Sequence, residues 1–127
     1  MSINPKSESA GSYDPDNLVA GEFPQAVVDG TISEAAETVY SRGTILGRKS
    51  DGEWTISTGG ATDDGSEVPR GVLLVDVDVS ETDVVAPIAR TGDFNERAVT
   101  IGDDHTADSI REDLADRNIY LRTTISA

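Results

Sequence analysis

The sequence predicts a mainly β fold with one short C-terminal α-helix, arranged as a small β-sandwich or barrel. Three observations carry this. Apolar β-formers recur, largely in alternation, through 44–57 and 71–90, the spacing of strands whose side chains point to opposite faces. Turns rich in Gly, Asp and Ser separate these segments, and Asp51-Gly52 is the strongest hairpin signal among them. Only Thr106 to Asn118 carries the three- and four-residue spacing of a helix.

Residues 1–17, rich in Ser, Asn, Asp, Pro and Gly, cannot bury enough apolar surface to order alone, so they read as a flexible arm ahead of one domain, 18–127. The following stretch, "LVAGEFPQAVVDGTIS", is able to form short strands, with Pro24 and the Asp29-Gly30 step as punctuation. From Thr38 come a short strand, a strand at 44–48, the turn at 50–52, and a strand at 53–57 with Trp54 and Ile56 on one face. A loop at 58–70 leads to the nearly continuous apolar run "GVLLVDVDV". Residues 83–90 form a further strand, where Pro87 argues for an edge or a bulge. "RAVTI", 97–101, is expected to be a short strand as well.

The helix follows. Thr106 is its N-cap, and Asp108 in the first turn favours the positive helix end. Ala107, Ile110 and Leu114 make the apolar stripe, while Asp108–Arg111 and Asp113–Arg117 are spaced to pair. Asn118 can take the left-handed conformation that ends a helix. A last strand then places Ile119, Leu121, Thr123 and Ile125 on one face.

The charge balance excludes several functions. The chain has 24 acidic and 10 basic residues, a net charge of -14, and only two lysines, Lys6 and Lys49. Such a surface repels phosphates and anionic membranes, so neither nucleic acid nor membrane is expected as a partner. Many carboxylates with few lysines is the composition of a halophile's protein, because molar salt shortens the Debye length to about 3 Å and removes the self-repulsion. The chain has no cysteine, which removes disulfides, thiolate metal sites and thiol nucleophiles together. The N-terminus lacks the apolar core of a signal peptide, and the longest aliphatic run, Val72 to Val75, is far short of a membrane span.

Candidate chemical sites are few. His105, the only histidine, lies beside Asp103 and Asp104, which are adjacent rather than spaced to converge; it reads as an exposed loop residue ahead of a capped helix. Asp76, Asp78 and Ser80 imitate the first positions of a calcium loop, but position six is Glu81 and position twelve is Pro87, so a solvated strand edge is the simpler reading. "TGGATDDGS" lacks the order, the lysine and the following helix of a phosphate cradle. The expectation is therefore no catalytic residue, no metal, no cofactor and no enzyme.

Four pieces in order carry a resemblance: "YDPDNLVAG" (13–21), "SRGTILGR" (41–48), "GSEVPRGVLLVDVDV" (65–79) and "GDFNERAVTIGDDHTADSIREDLADRNIYL" (92–121). In this order they are similar to the lambda-like head decoration proteins of tailed viruses. The resemblance runs from about Tyr13 to the C-terminus. It implies a small β-rich fold and homotrimers at threefold and quasi-threefold points of an icosahedral shell. It also implies an N-terminal arm that orders on the major capsid protein, often by adding a strand, and a place on the outer surface of the virion after synthesis in the host cytoplasm. The acidic surface departs from the family and suggests a virus of a halophilic archaeon.

If the arm anchors the protein in high salt, apolar burial and main-chain pairing must do the holding. The candidate anchors are Ile3, Tyr13, Leu18, Val19 and Phe23, with Pro5 and Pro15 limiting the unbound conformations. The alternative for Leu18 to Phe23 is that they cover the core's own edge. Two rival functions remain in view: a virion-surface β-domain that binds host glycans or a receptor, and a metal-dependent hydrolase served by His105 and Asp76.

Overall fold

The computed structural model describes residues 18–21, 24–59 and 64–123; Ile3, Pro5, Tyr13, Pro15, Phe23 and Ile125 lie outside them. The Asp51-Gly52 turn forms as the sequence predicts. Gly52 takes φ +94°, and the Asp51 carboxylate accepts the Glu53 N–H at 2.9 Å. This turn joins β3 (Ile45–Arg48) antiparallel to β4 (Trp54–Ile56).

Around that hairpin a barrel closes in the order β1 (Val27–Ile32), β4, β3, β5 (Pro69–Leu73) and β7 (Val84–Ala89). Two small ladders accompany it: β2 (Val39–Tyr40) with β6 (Val77–Asp78), and β8 (Gly92–Asn95) parallel to β9 (Ile119–Arg122). A parallel pair needs a long crossover. Here a 3-10 turn, Glu96–Ala98, and α1 (Ala107–Ala115) supply it.

Adjacent strand residues enter two different cores. Leu46, Leu73 and Ile88 point into the barrel with Ile32, Trp54 and Ala86. Their neighbours Ile45, Val72 and Ala89 point outward, under Phe94, Ile110, Leu114, Ile119 and Leu121 of β8, α1 and β9. Both faces of β3 and β5 are thus buried, which is why the run beginning at Gly71 is apolar without alternation.

Four sequence expectations need correction. Asp29-Gly30 is no turn but lies inside β1, paired with Pro87 and Ala86 of β7. A Cβ at residue 30 would stand 2.6 Å from Ile88 Cδ1 and 2.7 Å from Trp54 Nε1, so glycine is there for the close approach of the barrel filling. "RAVTI" is not a strand: Arg97 and Ala98 belong to the 3-10 turn, capped by the Asn95 side chain, and Thr100 makes a single bridge to Thr44. Arg117 reaches the main-chain carbonyl of Asp113, at 3.0 Å, rather than its carboxylate. Asp76 falls outside β6 and shares no strand with Asp78.

Pro87 is an edge residue only on one side. β7 is flanked by both β1 and β5, yet β5 pairs with it only at Val72–Ala89 and Leu73–Ile88. One step further, the Leu74 N–H donates to the Pro87 carbonyl at 3.1 Å. Proline cannot return that bond. The Leu74 carbonyl instead accepts from Arg42 Nη1 at 2.7 Å, and the ladder ends there.

Candidate functional site

The chain enters the described fold along β8. The Asn95 N–H donates to Leu18 O at 2.7 Å, the Ala20 N–H donates to Asp93 O at 3.0 Å, and Val19 bridges Phe94 antiparallel. Residues 18–20 therefore extend the β8–β9 ladder on its free side. Leu18 is fully buried with Phe94 and Leu121, a burial that contributes roughly 1.5–3 kcal/mol. The Leu18 side chain packs into the core. Val19 faces outward, 42 % exposed.

The next residues are fixed too. Asp93 is buried at 4 % exposure, and its carboxylate accepts from Arg122 Nη2 at 3.1 Å. Gly21 passes directly over that carboxylate, and any Cβ there would collide with it. The point from which the preceding segment departs is thus set by packing, an ion pair and main-chain bonds together.

At the other candidate positions the geometry is structural. Thr106 caps α1, and the cap is reciprocal: its Oγ1 accepts the Ser109 N–H at 3.1 Å, while Ser109 Oγ accepts the Thr106 N–H at 2.8 Å. Serine here takes the part that Glu or Gln usually plays in a capping box, a substitution that the sequence rule misses. Arg111 pairs with Asp108 at 2.6 Å as expected, and also with Glu96; these bonds raise the Arg111 pKa above its usual value. Asn118 takes φ 64°.

His105 differs from its sequence reading. It is half-buried, and Nε2 lies 3.1 Å from Ser57 Oγ and 3.0 Å from the Glu67 carbonyl. A carbonyl only accepts, so the bond to Glu67 requires the proton on Nε2. A nitrogen that holds its proton cannot take one from Ser57, and Ser57 is fully buried. The pair therefore clips the 57, 67 and 105 segments together instead of forming a nucleophile and base. Gly59 and Gly102 allow this close packing, since a Cβ on either would meet the opposite backbone. Chain separation hides such a contact from sequence reasoning.

The acidic motif disperses in the same way. Asp76 Oδ1 accepts the Arg42 N–H at 2.7 Å. Asp78 Oδ1 turns back on Ser80, accepting its hydroxyl at 2.5 Å and its N–H at 2.9 Å. Those bonds lower the Asp78 pKa below the ordinary carboxylate value, the side-chain bond most. Among the described residues no group of three or more His, Asp or Glu side chains gathers as metal ligands would. No helix among them is long and apolar enough to cross a membrane.

The described structure thus joins a closed barrel to a β8–β9 ladder on which residues 18–20 are fixed, and comparison with known proteins gives the family. No curated protein sequence matches the chain. The family model described as bacteriophage lambda head decoration protein D matches residues 9–119, which takes in the departure point, the barrel and α1. With that much of the polypeptide aligned, the chain belongs to the lambda head decoration protein D family.

Proposed function

We propose that the protein decorates the outer surface of an icosahedral viral head as a homotrimer at threefold and quasi-threefold positions, and holds the shell against the pressure of packaged DNA. The observation that carries this reading is the family match across residues 9–119. Its partners are the major capsid protein and two further copies of itself. The charge of -14 supports a virus of a halophilic archaeon as the source.

The physical basis is adhesion. A shell under internal pressure fails first where neighbouring capsomers meet. A trimer across those junctions adds contact that must be broken before they separate. The arm, residues 1–17, together with Val19 and Phe23, supplies that contact through apolar burial and strand addition. Anchoring at Leu18, Ala20 and Asp93 supports the assignment, because tension on the arm is then carried into the β8–β9 ladder rather than into a loop.

The glycan-binding alternative needs a cluster of exposed aromatic rings. Among the described residues Phe94, Trp54 and Tyr40 are 0 %, 3 % and 8 % exposed and serve the cores, so half-buried Tyr120 stands without a second exposed ring among them.

The test is to mix the full chain, and a variant lacking residues 2–17, with undecorated shells and image both. The full chain should saturate the threefold positions, and the shortened one should remain folded but unbound. Equal saturation by both would remove the arm as the anchor. Failure of the full chain to bind at all would remove the decoration function.

A further inference from the structure

A chain with 24 carboxylates gathers four of its ten basic residues on one side of the barrel. Arg48, Lys49 and Arg70 line an open cavity of about 360 Å³. Arg48 also lines a second one of about 350 Å³, together with Arg90, Trp54, Gly52 and residues 28–31. Arg90 lies over the Trp54 ring, 5.2 Å from its centroid, a cation–π contact.

Among the described residues no ion pair reaches Arg48, Arg70 or Arg90; Lys49 meets Asp51 only at 3.8 Å. Asp64 and Asp29 also stand at the cavities; the Asp64 carboxylate, held by the Ser66 hydroxyl and N–H at 2.6 and 3.0 Å, stays charged and offsets part of the charge of Lys49. Burial lowers the Arg90 pKa, and the charges of Arg48, Arg70 and Arg117 lower it further. Mutual repulsion of this kind destabilises the free protein and is relieved by a bound anion.

The same place offers unpaired main chain. The Arg90 N–H donates to Ala26 O at 2.7 Å. Hydrogen-bonded pairs alternate along an antiparallel ladder, so Val28, Gly30 and Ile32 are the β1 residues bonded to β7. Val27, Asp29 and Thr31 turn their N–H and C=O groups toward β4. β4, however, meets β1 only at Ile32–Trp54, with the Ser33 N–H on Trp54 O at 2.8 Å. Among the described residues no strand faces the main chain of Val27 and Asp29. Val27 and Val28 are exposed beside this gap, 49 % and 39 %.

We propose that the opening between β1 and β4 is a second docking site, taking an extended acidic peptide segment of a partner protein. The segment pairs with the main chain at Val27 and Asp29 and sets its carboxylates against Arg48, Arg70 and Arg90. A short peptide fits the charge pattern better than a nucleic acid does. A long polyanion would run off the basic patch onto a surface that repels it, and phosphates do not satisfy a strand edge. The site shares no residue with the 18–20 segment on β8, and its test needs no shell.

Trp54 is the only tryptophan in the chain, so its fluorescence reports on the site directly. The full chain is titrated, in about 0.1 M KCl, with a blocked octapeptide of alternating Glu and Val. The expected result is a saturable change that vanishes with the Gln-for-Glu peptide and weakens when alternate peptide amides are N-methylated. Arg48→Gln and Arg70→Gln, which do not disturb the core, should each weaken binding about fivefold, the size of one exposed charge pair. No saturable change, or equal affinity in both variants, would overturn the proposal. So would inorganic phosphate or an oligothymidylate competing as well as the acidic peptide.

Discussion

Gly30 lies flat against Trp54: a Cβ on Gly30 would stand 2.7 Å from the indole Nε1. The strand and the ring that fills the barrel are mutually fitted, since Ile88 closes the other side at 2.6 Å. Gly30→Ala must push the ring or the Ile88 methyl aside. The expected cost is about 1–3 kcal/mol, as for an extra methyl in a packed core. Urea unfolding followed by Trp54 fluorescence measures it, and the native emission should shift with the displaced ring. An unchanged midpoint would mean that the barrel interior yields more easily than its packing implies.

Pro87 and Arg42 form a compensating pair. The proline deprives the Leu74 carbonyl of its ladder partner, and the guanidinium supplies another. Arg42→Ala is expected to cost about 1–3 kcal/mol by leaving a partly buried acceptor unmade. Pro87→Ala restores an N–H on the β5 side. The double variant should therefore lose less than the sum of the two single losses, a coupling that a double-mutant cycle in urea reads directly. Strict additivity would dissociate the two residues.

The serine turns at Asp64 and Asp78 predict a small acid dependence. Both carboxylates sit below their ordinary value of 3.8 because Ser66 and Ser80 donate to the charged form. A group whose pKa is depressed on folding contributes stability above its unfolded value and loses it as pH falls through the folded one. The contribution is thus complete at neutral pH and disappears only below 3.8. Ser80→Ala removes the hydroxyl bond, the largest cause, and keeps the residue-80 N–H, so it should raise the Asp78 pKa part of the way back toward the ordinary value. Carboxyl NMR titration follows this residue by residue, and the stability gap between variant and parent should narrow in acid. An unmoved Asp78 titration would show that the bonds to Ser80 do not persist in solution.

The legible part of the fold is what neighbouring residues decide. Asp51-Gly52, Thr106 and Asn118 act within a few positions of themselves, and each does what its local chemistry dictates. The second Asp-Gly step, at 29–30, has the same local chemistry, but its fate is set by Trp54 and Ile88, far away in sequence. "RAVTI" has β-forming residues, yet Asn95 caps the turn that begins before it. β8 itself escaped notice because "GDFN" has one large apolar residue, Phe94, and takes its strand geometry from β9 and from Leu18 to Ala20. The candidate site divides the same way. Sequence composition exposes the shortage of lysine, but only folding shows that Arg48, Arg70 and Arg90, spread over 43 positions of chain, stand on one side of the barrel.

The net charge yields the last prediction. At about 0.1 M salt the Debye length is about 10 Å, and at 1 M it is about 3 Å. Carboxylates on separate strands repel across the first distance and hardly at all across the second. Screening also weakens favourable pairs such as Lys49–Asp51 and Arg111–Asp108, but exposed pairs contribute at most about 1 kcal/mol each, and 14 uncompensated charges outweigh them. The melting temperature should therefore rise steadily with KCl. Salt also strengthens apolar burial, so the control is charge removal: Asp113→Asn with Asp116→Asn, both exposed on the helix side, should raise stability in dilute salt and flatten the salt dependence. If the variant instead melts with the same salt slope as its parent, these helix carboxylates take no part in the repulsion and the rise belongs to burial alone.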